Sequence, residues 1–146
     1  MVGGGILLMR RAVSDVAVKN DEGRTSFGLL KDLERLLDLS RRLPFGDPLA
    51  ATTRYGAMVS VPHLHKVAGY VAAGLEDGAE LLLGGEKIDE GSGNFFAPTV
   101  FDKVRPDMRI AQEEIFGPVL ATIGFDTPEE AVALANGTPF GLSAGV

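Results

Sequence analysis

The sequence predicts an α/β fold, an incomplete domain built around a mostly parallel sheet. Three observations carry this expectation. Apolar residues recur at helical spacing in at least two segments, short apolar runs bounded by glycine and proline read as strands, and the two kinds alternate along the chain.

Residues 1 to 26 give the weakest pattern. A Gly3-Gly4-Gly5 opening is followed by the short β-prone run Ile6 to Met9, and the polar stretch Lys19 to Thr25 reads as a loop or a disordered insert. From Ser26 onward the spacing becomes helical. Leu29, Leu30, Leu33, Leu36, Leu37 and Leu43 form one stripe, with Lys31, Asp32, Glu34 and Arg35 on the other face. Pro44, Gly46, Asp47 and Pro48 then end the helix and open a loop through Gly56.

Ser60 is placed to cap a second helix with Pro62 in its first turn, and Leu64, Val67, Val71 and Leu75 supply its apolar stripe up to Gly78. Glu80 to Leu83 reads as a candidate for a short buried strand closed by Gly84-Gly85. A turn-rich segment through Gly93 leads to the β-prone run Asn94 to Phe101, and Pro118 to Phe125 reads as a further strand. Thr127-Pro128-Glu129-Glu130 forms a capping box, in which the threonine hydroxyl accepts from the Glu130 amide and Glu130 reaches back to the cap amide. The helix it starts runs from Pro128 to Asn136 and stops at Gly137. Another strand is expected to be starting at Val146, so the chain is expected to stop inside an element. No internal repeat or heptad run is present.

A chain of 146 residues is about one domain long. Its formal net charge of -6 argues against a phosphate-backbone partner, which needs a clustered basic surface, so no nucleic acid is expected. The Ile6 to Met9 run is far too short for a membrane span or a secretory h-region, and Arg10-Arg11 follow it rather than precede it. Neither a membrane nor a targeting segment is therefore expected. Zero cysteines exclude disulfides and thiolate metal sites and fit a reducing compartment, with cytoplasmic as the default location.

The most informative stretch is Gln112-Glu113-Glu114-Ile115-Phe116-Gly117-Pro118-Val119, an acidic pair, an aromatic and a Gly-Pro turn directly before an apolar strand. A carboxylate at the start of a tight turn can accept two hydrogen bonds from vicinal hydroxyls, and an aromatic two residues on can pack against a flat heterocycle. Glu114 and Phe116 together suit a nicotinamide riboside. The bland alternative is a surface carboxylate and a core phenylalanine. Glu113 is expected to point elsewhere, into solvent.

The flanking sequence decides between these readings. Phe95-Phe96-Ala97-Pro98-Thr99-Val100, Asp107-Met108-Arg109-Ile110, Phe125, Glu130-Ala131, Ala135-Asn136 and Phe140-Gly141-Leu142 stand in order around the stretch, and with it the chain resembles the aldehyde dehydrogenase family. A weaker ordered set, Gly46-Asp47-Pro48, Gly56, Val67, Tyr70, Gly74, Gly78-Ala79 and Gly84-Gly85, is similar to the family's segment between the nucleophile helix and the ribose-binding turn. The resemblance thus covers residues 46–146 as a fragment of the catalytic domain. Residues 1–45 form a poorly matched segment containing the amphipathic helix.

The resemblance implies an NAD(P)-dependent oxidation of an aldehyde to a carboxylic acid, with NAD or NADP as cofactor. It assigns Glu114 to gripping the nicotinamide ribose and Phe116 to the neighbouring aromatic position. Family members also need a Rossmann-like half, a glutamate general base and a cysteine nucleophile. None of these is recognisable here, so no catalytic residue is assigned, the chain alone is expected to be inactive, and its own cofactor binding is expected to be weak. The segments that select the aldehyde, and NAD over NADP, are expected to lie elsewhere. The alternative is a non-catalytic relic or interaction module that pairs with intact subunits; a homo-oligomer is the expectation for an intact subunit.

Other patterns carry less. Pro98-Thr99 and Phe140-Gly141-Leu142 read as determinants of chain path, and Asn136 as a helix-ending residue that tolerates the left-handed region. Gly141-Leu142-Ser143-Ala144-Gly145 fits G-x-S-x-G, but three residues after the serine leave no place for a helix, an acid and a histidine. His63 and His65, two apart, send their rings to different faces of a helix and read as surface histidines rather than a metal pair. Gly3-Gly4-Gly5 lacks the spacing of a dinucleotide loop.

Overall fold

The computed structural model describes residues 5–10, 27–89 and 93–140. Its main sheet has four strands: β1 (Gly5–Arg10), β2 (Glu80–Leu83), β5 (Thr99–Asp102) and β6 (Val119–Phe125), in the order β1-β6-β5-β2. β6 pairs in parallel with β1, from Gly5↔Leu120 to Arg10↔Phe125, and in parallel with β5 at Thr99↔Val119. β2 joins the other edge antiparallel to β5, with an irregularity between Leu81 and Leu83. The sheet is therefore partly parallel, as the alternation of elements implies.

A small hairpin, β3 (Lys87–Ile88) with β4 (Phe95–Phe96), lies between β2 and β5. The β-prone run Asn94 to Phe101 is thus two strands rather than one. Pro98 divides it: proline has no N–H to give a ladder, and the next residue takes up a different set of bonds. Thr99 makes them. Its N–H donates to Pro118 O at 2.8 Å, its hydroxyl oxygen accepts from Gly85 N at 2.9 Å, and the hydroxyl donates to Ala97 O at 2.8 Å. Thr99 is 1% exposed, so a buried polar residue here is fully satisfied and ties three chain segments together. Gly84 next to it has φ +72, and a Cβ there would lie 2.2 Å from Pro98 O, so only glycine fits. Pro98-Thr99 sets the chain path, as expected.

Among the described residues four helices alternate with the strands along the chain: α1 (Phe27–Arg41), α2 (Val61–Glu76), α3 (Arg109–Gln112) and α4 (Pro128–Ala135). Among the described side chains of α1, Leu33, Leu36 and Leu37 are half-buried and Leu39 is exposed, so its apolar stripe is only partly covered. α2 begins where the sequence places it, with Ser60 Oγ accepting from His63 N at 3.2 Å and Pro62 in the first turn. Its inner face is the centre of the core. Leu64, Val67, Tyr70, Val71 and Gly74 are buried, and they pack with Phe96, Phe101, Met108, Ile110, Ile115, Val119 and Ile123. Gly74 lets α3 and β5 approach, since a Cβ there would meet Ile110 Cδ1 at 3.0 Å and Phe101 Cζ at 3.3 Å. Each fully buried phenylalanine in this cluster stabilises the fold by about 1.5–3 kcal/mol relative to an exposed one.

α4 keeps its cap with one difference. Thr127 Oγ1 accepts from Glu130 N at 3.2 Å, but Glu130 Oε2 accepts from Asp126 N at 2.8 Å, one residue before the cap amide it was expected to reach. Asn136 ends the helix with φ -90 rather than in the left-handed region, its Nδ2 donating to Val132 O at 2.9 Å. The side-chain bond replaces the capping that a positive φ was expected to provide. The expected strand at Val146, the Lys19 to Thr25 stretch, Gly3 and Gly4 of the glycine opening and the Gly141 to Gly145 pattern lie outside the described residues; Gly5 begins β1.

Candidate functional site

The single turn of α3 ends at Glu113, whose extended backbone (φ -120, ψ 150) turns the chain out of the helix while its N–H still donates to Arg109 O at 3.0 Å. From there residues 114–118 run across the start of α2 and into β6. Ile115 is 4% exposed and anchors this segment in the core. Phe116 is not core. It is 52% exposed and has φ +55, in the left-handed region that side chains other than those of Asn, Asp and Gly seldom adopt. A non-glycine residue held there costs of order 1–3 kcal/mol, so the surroundings must fix it.

They do so from one face of α2. Residues 63, 66, 67 and 70 are spaced three, four and seven apart, which stacks them on one side of the helix. His63 Nε2 lies 2.7 Å from Phe116 O, and because a carbonyl only accepts, Nε2 carries the proton of this bond. Lys66 Nζ donates to Glu114 O at 3.4 Å and sits 5.7 Å from the centre of the Phe116 ring and 5.4 Å from that of Tyr70. Val67 supports Gly117 so closely that a Cβ on the glycine would lie 2.7 Å from Val67 Cγ2. Tyr70 OH donates to Glu113 Oε2 at 2.7 Å.

Glu113 is exposed, as the sequence suggests, and is bonded as well. Its carboxylate also accepts from Arg109 Nε at 3.1 Å, and the Arg109 guanidinium lies 4.7 Å from the Tyr70 ring centre. The Tyr70 hydroxyl, followed by the Arg109 side chain, holds the Glu113 carboxyl below its ordinary value. The same hydrogen bond raises the Tyr70 phenol, with burial adding to it. Of the adjacent acids, Glu113 fastens the segment down. Glu114 is half-buried, and among the described residues its carboxylate has no hydrogen-bond partner. The outcome is a half-buried carboxylate and a half-exposed ring two residues apart on a segment that is otherwise pinned. Among the described residues no group of three or more His, Cys, Asp or Glu side chains could hold a metal ion.

A family model described as "Aldehyde dehydrogenase family" matches residues 31–146. The chain belongs to the aldehyde dehydrogenase family. Its fold is similar to that of an NAD-dependent aldehyde dehydrogenase from Sinorhizobium meliloti, at 51% identity over 94% of this chain and 24% of that one, with a TM-score of 0.80. It is also similar to the indole-3-acetaldehyde dehydrogenase of P. syringae, solved with NAD+ (46% identity, 75% of this chain, 23% of that one, TM-score 0.71). A third similar structure is the Staphylococcus aureus betaine aldehyde dehydrogenase with NAD+ (36% identity, 77% and 23%, TM-score 0.74). The chain spans about a quarter of the length of these solved aldehyde dehydrogenases.

Within this aldehyde dehydrogenase segment, Glu114 and Phe116 lie on the same turn beside α2, as their spacing predicts. His63 was expected at the surface as an ordinary histidine; instead it is half-buried and bonded to that turn. His65 is exposed. The participation of His63, Lys66, Val67 and Tyr70 is missed from sequence, although their shared helix face is readable from spacing alone. Nothing in the sequence says which other segment that face receives. No helix among the described residues is long and apolar enough to cross a membrane.

Proposed function

We propose that the Glu114 to Gly117 turn is the nicotinamide-ribose-binding element of an NAD(P)-dependent aldehyde dehydrogenase, which oxidises an aldehyde to a carboxylic acid. Glu114 accepts the two ribose hydroxyls and the Phe116 ring packs against the nicotinamide. The observation that carries this reading is Phe116 itself: a large apolar ring held half in solvent, in an unfavourable backbone conformation, two residues from a carboxylate with acceptor capacity to spare. Such an arrangement fits a flat, hydroxyl-bearing ligand. When bound, the nicotinamide supplies the hydride acceptor. This chain's residues orient it and do no bond-making, and with zero cysteines the chain has no thiolate to attack an aldehyde.

The 146-residue chain is accordingly a catalytic-domain fragment in function, residues 46–146 carrying the dehydrogenase-like part, in a cytoplasmic setting. Alone it is inactive towards aldehydes and binds NAD or NADP weakly. A few hydrogen bonds contributing about 1 kcal/mol each, with partial stacking, give a dissociation constant on the order of millimolar. Saturation-transfer NMR with millimolar NADH tests this: saturation is expected on nicotinamide and adjoining ribose protons and is lost in Glu114→Ala. Equal saturation in that variant sinks the assignment.

A second reading is favoured by one observation. Leu39 is 56% exposed on a helix whose neighbouring leucines are only half-covered, and such an open apolar face suits association with intact subunits. Co-purification of a tagged chain with an intact aldehyde dehydrogenase, abolished by Leu39→Glu, tests it.

A further inference from the structure

We infer that His63 is a positioning residue for the turn that carries Glu114 and Phe116: its imidazole holds the Phe116 carbonyl and thereby fixes where the ring stands relative to the carboxylate. The inference rests on the ribose-binding assignment proposed above, and deepens it by naming the group that builds the site without touching the ligand.

His63 is itself rigidly placed. Its backbone N–H is capped by Ser60 Oγ at 3.2 Å, and the next residue, Leu64, is 2% exposed in the core. The start of α2 therefore cannot shift without breaking a cap and a packing contact. From this fixed base Nε2 reaches Phe116 O at 2.7 Å. The other contacts on the turn divide the work. Tyr70 holds Glu113 at the near end, Val67 supports Gly117 at the far end, and Lys66 reaches Glu114 O at a longer 3.4 Å from a flexible stem. Among the described residues, only the His63 bond acts on the carbonyl of Phe116, the residue with φ +55. Freed of that bond, the carbonyl turns to water and Phe116 relaxes towards the extended region that its side chain prefers. The relaxation swings the ring relative to Glu114, which stays where it is because Ile115 between them is pinned in the core.

The test uses the full 146-residue chain, 13C,15N-labelled, with His63→Ala, His63→Gln and Glu114→Gln. Glutamine keeps a donor of similar reach, and a thermal melt of each variant separates a local effect from loss of fold. In His63→Ala the Phe116 carbonyl and Cα resonances are expected to move towards extended values, and NADH affinity is expected to fall about tenfold, the effect of one well-placed hydrogen bond. His63→Gln is expected to restore both. Unchanged Phe116 resonances in His63→Ala overturn the inference, as does an NADH affinity that falls in Glu114→Gln but not in His63→Ala. If the Phe116 resonances move while neither variant alters NADH affinity, the positioning role stands and the ribose assignment is the part that fails.

Discussion

The hydroxyl of Tyr70 on α2 donates to Oε2 of Glu113 across 2.7 Å, joining residues 43 positions apart and fixing the near end of the turn that presents Glu114. The bond favours two protonation states at once, the carboxylate of Glu113 and the neutral phenol of Tyr70. Each then links stability to pH, at opposite ends of the scale.

Glu113 has its folded-state pKa lowered from the ordinary 4.5, first by the Tyr70 hydroxyl and then by the Arg109 side chain. A depressed acid contributes stability that is present above the unfolded value and lost as pH falls through the folded one. The stability difference between wild type and Glu113→Gln should therefore be constant at neutral pH and shrink on acidification below about 4.5. Urea titrations at a series of pH values check this. A difference that does not change with pH would remove the carboxylate's role in holding the turn.

Tyr70 has its folded-state pKa raised from 10.0, chiefly by Glu113, and Tyr55 is raised by burial. A raised group contributes stability that is complete below its unfolded value and lost as pH climbs through the folded one. Both tyrosines should titrate above pH 10.0 in the ultraviolet. Tyr70→Phe should delete one of these transitions, and Glu113→Gln should lower the Tyr70 transition without moving that of Tyr55.

Gly117→Ala should disturb the far end of the same turn. The added methyl meets Val67 Cγ2 at 2.7 Å and Cγ1 at 2.9 Å, and Val67 is wholly buried, so it cannot swing aside. Overpacking of this kind costs about 1–3 kcal/mol. Adding Val67→Ala should recover part of it, giving a coupling between the two sites that a double-mutant cycle by chemical denaturation reads directly. Strict additivity would contradict the contact.

Thr99→Val removes a hydroxyl that serves Gly85 N and Ala97 O while keeping the side chain's shape. The half-buried Gly85 amide loses its partner, for a loss of about 1 kcal/mol in a urea melt. Thr127→Ala, at an exposed helix cap, should cost about 0.5–2 kcal/mol.

Local signals in the sequence were sufficient for the elements whose causes are local. The Ser60 and Thr127 caps, the Gly84-Gly85 exit from β2 and the Leu64, Val67 and Val71 face of α2 follow from residues next to one another, and the structure places them accordingly, whereas Leu75 of the expected stripe is exposed. Contacts across long separations were not readable. The division of Asn94 to Phe101 into β4 and β5 depends on Thr99 bonding to Pro118 and Gly85, and the value of His63 depends on a carbonyl 53 residues away. Glu114 and Phe116 stand out in sequence because an acid, an aromatic and a Gly-Pro turn are adjacent. The α2 residues that hold them carry no such mark, since a histidine, a lysine and a tyrosine on one helix face are ordinary surface composition until a partner segment is known.

The central claim, that Glu114 and Phe116 form a nicotinamide-ribose site, is tested most directly by titrating the 15N-labelled chain with NADH and mapping amide shifts. The account predicts saturable shifts concentrated at residues 113–117 and at the first turns of α2, with affinity about tenfold weaker in Glu114→Gln. Shifts centred elsewhere, or an identical titration of that variant, would contradict it.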